Sequence, residues 1–422
     1  MHDEKYMQLA LQYASFGKGR TSPNPLVGAV IVKDGRIVGT GWHRKAGTPH
    51  AEIHALNMAG DLAKGATIYV TLEPCAHEGR TGPCAEALVK AGIARVVVAA
   101  IDPNPKVSGK GIDILKKAGN DVTVGVCEGE AKRLMEVFLK WTATGRPFTV
   151  WKTAMSLDGK IATSGGESQW ITGDEARAFG HGLRDEYDAI MTGIGTVLAD
   201  DPSLTTRLNE GVQKPLAEGR WVAAALADKN ITPVGNSPVR IVVDSLARTP
   251  LDSKVVTDGK AATIIAVSPK ASAQRIAALR QAGVEVLMVP QDSRNSKNPK
   301  ASEVSGSAEA LESPEVSEAA ELSEETAGRV NLTRLMEMLG DKSRGITSVL
   351  VEGGGTLAFS LLKAGLVDKV HAFVSPMLLG GQEAKGAIGG AGFGHLTEAP
   401  RLKDVTTEFL GRDIHITGYI SR

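Results

Sequence analysis

His50-Ala51-Glu52 is followed by Glu73-Pro74-Cys75 and then by Pro83-Cys84. One imidazole and two thiolates make three ligands for zinc. Catalytic zinc sites keep a fourth position for water, whereas structural sites are usually closed by four protein ligands. Bound zinc lowers the pKa of water toward ~7. Attack by the resulting hydroxide on an amidine-like ring carbon needs one more group, to carry protons from water to ring nitrogen and departing ammonia. Glu52, two residues from His50, is the candidate catalytic carboxylate. A purely structural zinc site closed by His77 is the alternative, and it leaves Glu52 without a role. Cys127 reads as a small buried hydrophobe.

Zinc deaminases carry H-x-E and P-C-x-x-C. Here the residues Ala76 to Pro83 separate the two cysteines and must loop out. Cys84 after Pro83 suits a helix N-terminus, where the dipole favours a thiolate. Around this constellation, apolar spacing predicts a helix over the first 20 residues. Strands follow at Val27–Val32 and Arg36–Trp42, joined by a turn at Lys33-Asp34-Gly35. Further helices are expected at His50–Ala59, Cys84–Ala91, Gly109–Ala118 and Glu130–Thr142, with strands at Thr67–Thr71 and Arg95–Ile101. Strands separated by helices make an α/β layer.

A second α/β series starts near Pro147, so the domain boundary is placed at residues 145/146. Strands are expected at Thr149–Ser156, Ala189–Gly193, Val239–Val243, Ala262–Val267, Val284–Pro290 and Ser348–Glu352. Helices are expected at Asp174–Arg184 and Leu357–Ala364. Residues 291–328, rich in Ser, Glu and Ala, are expected to be a disordered acidic insertion. Lys214–Thr232 reads as a smaller one. The chain of 422 residues balances 48 basic against 48 acidic side chains, which disfavours a nucleic-acid binder. No apolar run approaches the ~18 residues of a membrane span. Three cysteines are too few for a disulfide scaffold, and with no apolar leader the expected compartment is the cytoplasm.

In the second half, Lys152–Ala162, Ser168–Gly173, His181–Arg184 and Gly193–Leu204 carry concentrated polar and glycine residues. The strand ending in Glu352 runs into Gly353-Gly354-Gly355 and then a helix. Such a junction lets backbone N–H groups approach a phosphate. It is not G-x-G-x-x-G, and taken alone it reads first as a tight turn.

Taken together, His50-Ala51-Glu52 and the run Glu73–Cys84 resemble the bifunctional deaminase–reductase family of riboflavin biosynthesis. Thr21–Gly28 and Asp102–Pro105 are similar to it too, as are the segments of the second half. The resemblance implies a cytidine-deaminase-like α/β/α domain over 1–145 and a dihydrofolate-reductase-like α/β domain over 146–422. It implies Zn2+ at His50, Cys75 and Cys84, and a phosphoribosylamino-pyrimidinone substrate whose 2-amino group is replaced by water. Asn24, His43, His77, Asp102, Asn104, Lys106 and Ser108 would line that pocket, although a single His or Asn in a loop is as readily a turn or capping residue. The second half would reduce the ribosyl unit at C1 with NADPH. Ala154, Trp170, Thr196, Asp200, Ser245 and Gly353, Gly354, Gly355, Thr356, Leu357, Ala358 and Phe359 would contact the cofactor. Ser168, Arg184, Leu204, Arg207 and Glu352 would contact substrate, the two arginines suiting a phosphate unless they are surface ion pairs. Lys152 and Asp200 are the candidate acids.

Two other functions stay open on the residues alone. One is a nucleoside- or RNA-editing zinc deaminase with an inactive or regulatory second half. The other is a binding protein with degenerate sites. A homo-oligomer is compatible with the sequence, but no motif demonstrates one.

Overall fold

Met7, Ala10, Leu11 and Ala14 are the buried stripe of helix α1 (His2–Ser15), which seats it on the first sheet. This computed structural model describes residues 2–76, 82–104, 107–208, 236–291 and 328–421. The helix is shorter than expected, because tight turns through Gly17 and Gly19 carry the chain on to Arg20. Strands β1 (Gly28–Lys33) and β2 (Arg36–Trp42) form the expected hairpin. There follow α2 (Ala51–Ala59), β3 (Thr67–Leu72), α3 (Cys84–Lys90), β4 (Arg95–Ala100), α4 (Lys110–Lys117) and β5 (Asp121–Val124). The five strands lie in the order β2-β1-β3-β4-β5, with β3, β4 and β5 parallel. Helices press on both faces. A Cβ on Gly28 would stand 2.0 Å from the Ala10 carbonyl of α1, and one on Gly41 2.3 Å from the Ala51 carbonyl of α2. Strand β5 is an addition to the expected set; it is short and half-exposed, so no apolar run marks it.

One helix was expected over Glu130–Thr142. The structure has two, α5 (Glu128–Leu134) and α6 (Glu136–Thr144), separated at Met135. Met135 is buried in the first core. Helix α6 keeps Phe138 and Leu139 on that core and also reaches the second half: Lys369 Nζ donates to Glu136 Oε1 at 2.9 Å, Trp141 Nε1 donates to the Gly340 carbonyl at 2.7 Å, and Lys140 pairs with Asp368. The second helix thus serves both cores at once, with Val137 packed on the second.

The second sheet holds nine strands: β6 (Phe148–Ser156), β7 (Ala189–Gly193), β8 (Val239–Val243), β9 (Thr263–Val267), β10 (Glu285–Met288), β11 (Ser348–Glu352), β12 (Lys369–Ser375), β13 (Leu402–Leu410) and β14 (Asp413–Ile420). Their order is β10-β9-β8-β7-β11-β6-β12-β14-β13. The first seven in that order are parallel, and β14 and β13 are antiparallel additions. Among the helices, α7 (Asp174–Glu186), α8 (Ile194–Asp200), α9 (Lys254–Thr257), α10 (Ala273–Gln281), α11 (Leu332–Leu339) and α12 (Gly355–Lys363) pack around it. The two units are also tied by Arg20 to Asp185 at 3.0 Å and by Lys18 to Glu186 at 3.0 Å. The Asp188 carboxylate accepts from Ser22 Oγ at 2.9 Å and Thr347 Oγ1 at 2.7 Å.

Residues 209–235 and 292–327, which hold nearly all of both expected insertions, lie outside the described residues. Their flanks are pinned: Thr206 Oγ1 donates to the Asn236 carbonyl at 3.0 Å, and Gln291 Nε2 to the Arg329 carbonyl at 2.6 Å. Among the described residues no helix is long and apolar enough to cross a membrane.

Candidate active sites

His50 caps the N-terminus of α2, and Cys84 opens α3. Cys75 follows β3 through Glu73-Pro74. The ligand atoms of His50, Cys75 and Cys84 all lie within 4.8 Å of one another. His50 Nδ1 is 3.3 Å from Cys84 Sγ and 3.6 Å from Cys75 Sγ, and the Cys84 backbone N–H donates to Cys75 Sγ at 3.3 Å. The Cys84 thiol, then His50, stabilise charge on Cys75 and push its pKa down to about 4. The charge on Cys75 and burial push Cys84 up. A cation held between the two sulfurs would stabilise both as thiolates. The donor set therefore fits zinc.

Glu52 lies in the first turn of α2, 3% exposed, and its Oε2 has no hydrogen-bond partner. Burial, then the Cys75 charge, raise its carboxyl to about 7. An orphaned carboxylate oxygen beside a three-ligand cluster is where a proton-carrying group belongs. Around it, Asn24 Nδ2 stands 3.1 Å from His43 Nε2, and His43 Nδ1 is 3.2 Å from the Pro49 carbonyl. The carbonyl needs a donor at Nδ1, which leaves Nε2 to accept from Asn24. Burial lowers the His43 pKa and keeps that ring neutral. Asp102 and Asn104 form one turn, the Asn104 N–H donating to Asp102 Oδ1 at 2.8 Å. Ser108 is exposed on the turn before α4. His77 and Lys106 lie outside the described residues.

Sequence reasoning passed over Glu73. Its buried carboxylate accepts backbone N–H groups from Asp102 at 3.3 Å, Gly109 at 3.0 Å, Gly111 at 2.9 Å and Ile112 at 3.3 Å. It clamps the 102–112 segment to the strand end that carries Cys75. Motif spacing cannot announce this, because the partners are main-chain groups far along the sequence. A Cβ on Gly111 would lie 1.9 Å from the Pro74 carbonyl. Gly111→Ala is thus expected to cost about 1–3 kcal/mol, the scale of overpacking, and to lower the unfolding midpoint and the zinc retained together. A variant that melts and holds zinc like the parent would show that the contact relaxes freely.

In the second half, β7 and β11 are adjacent and parallel, and each runs straight into a helix, α8 and α12. The chain departs in opposite directions along the sheet from these strands, so the crevice at their C-terminal ends is a topological switch point. The Gly354 N–H donates to Thr196 Oγ1 at 3.2 Å across it. A Cβ on Gly353 would stand 2.7 Å from Thr192 Oγ1. Backbone N–H groups and small residues there make a cradle that fits a nucleotide phosphate. Leu357 and Ala358 instead pack into the core below, and Phe359, also buried, lies edge-on to Phe393 at 5.3 Å. Trp170 is 62% exposed with the Arg177 guanidinium over its ring, and Ser168 Oγ donates to exposed Asp200 at 3.4 Å. Ala154 lies on β6. Ser245 Oγ accepts the Val330 N–H at 3.0 Å, and Leu204 is core at 4% exposure.

Arg184 is not a surface ion pair. Its Nε and Nη2 grip both oxygens of Glu352 at 2.8 and 2.9 Å, and Lys152 Nζ lies 3.5 Å from the same carboxylate. Desolvation would raise the Glu352 pKa, but the Arg184 and Lys152 charges outweigh it and hold the carboxyl well below the usual range. Arg207 stands nearby, its Nη1 donating to Thr205 Oγ1 at 3.4 Å. With three cationic groups around one carboxylate, the cluster has the charge excess that an anion requires.

His181, quoted in the sequence but given no role, joins this cluster. The Arg207 backbone N–H donates to its Nδ1 at 3.2 Å, so the neutral ring carries its proton on Nε2. Burial, then Arg184 and Arg207, push its pKa down from 6.5 to about 4. A histidine neutral when folded contributes stability that is full above its unfolded pKa of 6.5 and is lost as pH falls toward 4. His181→Asn should flatten that decline in a pH series of unfolding midpoints. An unchanged slope would assign the decline to other groups.

Residues 1–100 match the cytidine and deoxycytidylate deaminase zinc-binding region, and residues 147–416 match the RibD C-terminal domain. The chain is 41% identical to the riboflavin biosynthesis protein RibD of Escherichia coli over 421 residues, covering 99% of this chain and 100% of that one.

The chain belongs to the RibD family.

RibD of Actinobacillus pleuropneumoniae is 39% identical over 98% of this chain and 94% of its own. Among solved structures, Acinetobacter baumannii RibD superposes with a TM-score of 0.77 at 36% identity, covering 100% of this chain and 99% of that one. A diaminohydroxyphosphoribosylaminopyrimidine deaminase/5-amino-6-(5-phosphoribosylamino)uracil reductase from Thermotoga maritima gives 0.75 at 32% identity, covering 99% of each. As a RibD-family protein the chain is an enzyme of riboflavin biosynthesis with deaminase and reductase activities on a small-molecule substrate. It uses zinc and NADPH, and its N-terminal unit is cytidine-deaminase-like. The editing-deaminase reading is not favoured, since it leaves the matched C-terminal half unused.

Proposed function

We propose that residues 1–145 deaminate 2,5-diamino-6-(5-phosphoribosylamino)pyrimidin-4(3H)-one and that residues 146–422 reduce the product's ribosyl unit to ribityl. The observation that carries the first step is the orphaned Oε2 of Glu52 beside the His50, Cys75 and Cys84 triangle. Zinc bound there supplies Lewis acidity that makes water a nucleophile near neutral pH. Glu52 takes the proton of the attacking water and delivers it to the ring nitrogen. It then carries the second water proton to the departing amino group, which leaves as ammonia. Asn24, His43, Asp102 and Asn104 supply donors and acceptors for the heterocycle, with Asp102 and Asn104 held by Glu73.

For the second step, NADPH supplies the hydride. Thr196 and the Gly353–Thr356 backbone hold its phosphates at the switch-point cradle, beside Ala154, Trp170, Asp200 and Ser245. Arg184 and Arg207 bind the substrate phosphate, with Glu352 orienting Arg184 and with Ser168 and Leu204 at the substrate's edge. Lys152, poised by Glu352, donates the proton that the opening sugar needs. Asp200 is the second candidate acid, but its exposed position favours Lys152. Three cysteines without a disulfide, two of them zinc ligands, support a reducing, cytoplasmic setting, and the balanced charge supports a substrate that is neither nucleic acid nor membrane.

The test supplies zinc-loaded protein with the diamino substrate and follows ammonia and NADPH together. Ammonia should appear without NADPH, and oxidation should begin when NADPH is added. Zinc-loaded protein that releases no ammonia would refute the substrate; ammonia without oxidation would refute the second half.

A further inference from the structure

The loop between α1 and β1, residues 16–27, carries Asn24 to the deaminase cluster. Asn24 Nδ2 meets His43 Nε2 at 3.1 Å, and the His43 ring lies edge-on to that of His50 at 5.4 Å. The loop's own backbone bonds are local. The Arg20 N–H donates to the Gly17 carbonyl at 3.0 Å, and the Asn24 N–H to the Thr21 carbonyl at 2.8 Å. Turns of this kind set the loop's shape; its place must be fixed from outside them. Two of its side chains reach into the second half. Arg20 Nη2 donates to both oxygens of Asp185 at 3.1 and 3.0 Å, and a Cβ on Gly19 would stand 2.3 Å from the Asp185 carbonyl. Ser22, in the same turn as Asn24, donates through Oγ to Asp188 Oδ2 at 2.9 Å.

Asp188 is a fixed acceptor. Thr347 Oγ1, the Thr347 N–H and the Ser348 N–H donate to the same Oδ2 at 2.7, 2.8 and 3.1 Å, while the Asp188 N–H donates to Ser348 Oγ at 3.0 Å. Thr347 and Ser348 are buried, so the anchor belongs to the framework of the second half. Four donors converging on one oxygen call for a full negative charge, which strengthens each bond. We propose that Asp188 of the reductase half is a positioning residue of the deaminase, holding Asn24 at the heterocycle through Ser22, with the Arg20–Asp185 pair as a second hold; this rests on the reading of Asn24 as a substrate contact.

The anchor and the reductase crevice occupy opposite ends of the same strands. Asp188 precedes β7 and Thr347 precedes β11, whereas the crevice opens beyond Gly193 and Glu352. Each strand is five residues long, which puts the two ends roughly 16 Å apart at the usual rise. A change at Asp188 or Ser22 therefore loosens the deaminase loop and leaves reduction as an internal control. Ser22→Ala removes one hydroxyl. Asp188→Asn keeps the side chain's shape and removes the charge that gathers the four donors. Asn24 contributes binding in this reading, so its displacement raises KM and spares kcat.

The experiment measures ammonia release from 2,5-diamino-6-(5-phosphoribosylamino)pyrimidin-4(3H)-one by the full zinc-loaded chain. It compares wild type with Ser22→Ala, Asp188→Asn, Asn24→Ala and the double variant Ser22→Ala/Asn24→Ala. Ser22→Ala and Asp188→Asn should each raise KM about tenfold, the effect of losing one hydrogen bond to a charged group. Their kcat, zinc content and NADPH oxidation on the deaminated substrate should match the parent's. Asn24→Ala should itself raise KM, and adding Ser22→Ala to it should change nothing more, because residues acting through one contact are not additive. Parental KM in both Ser22→Ala and Asp188→Asn overturns the proposal. So does a Ser22→Ala effect that is equally large without Asn24, which would make Ser22 a general prop of the fold. Joint loss of kcat and zinc in Ser22→Ala overturns it for the same reason. Should Asp188→Asn fail to fold, Ser22→Ala and the double variant decide alone. Asn24→Ala with the parental KM overturns the reading of Asn24 as a substrate contact, and the proposal with it.

Discussion

Glu52→Gln should cut ammonia release by on the order of 10²–10⁴, the range that a positioned general acid–base contributes, while zinc stays bound. The change keeps the size of the side chain and removes only its capacity to take and return a proton. None of the three ligand atoms belongs to Glu52, so metal content by elemental analysis should match the wild type. NADPH oxidation on the already deaminated substrate should be unaffected, which makes the second half an internal control for folding. A variant that loses zinc, or one that still deaminates at the parent rate, would remove Glu52 from the chemistry. The buried position sharpens the expectation. A carboxylate oxygen with no partner costs free energy in the resting protein, a cost offset if substrate and water complete its contacts.

Glu352→Gln should be the most damaging single change in the second half. The carboxylate holds Arg184 through two short bonds and Lys152 through a third contact, at 12% side-chain exposure. Removing one member of a buried ion pair leaves the partner's charge uncompensated and typically costs about 3–5 kcal/mol. Reductase kcat/KM should fall on the order of 10²-fold, in line with the 2–5 kcal/mol for truncating a buried, hydrogen-bonded charge. Deamination should continue in whatever fraction is folded. The sign with pH follows from the depressed pKa of Glu352. Its contribution is complete above the ordinary carboxyl range and disappears only as acid reaches the lower native value. The stability gap between wild type and variant should therefore be widest near neutrality and close in strong acid. A gap independent of pH would mean that Glu352 acts by shape and not by charge.

Much of this was legible before any coordinates. His50, Cys75 and Cys84 declare themselves because metal ligation restricts residue type, and the α/β alternation sets strand and helix positions to within a few residues. What stayed hidden shares a physical cause. Glu73 works through backbone N–H groups, which carry no residue signature. Strands β12, β13 and β14 were passed over because the apolar pattern did not announce them: β13 is largely exposed, and β12 and β14 mix polar with apolar burial. The break at Met135 was invisible because local helix periodicity is unbroken there.

The pinned flanks at Thr206/Asn236 and Gln291/Arg329 have a practical consequence. At each, the described ends on either side are held together by hydrogen bonds that do not involve the intervening residues. A short turn could replace residues 292–327, or a fluorescent domain could be spliced in their place, while β10 and α11 keep their positions.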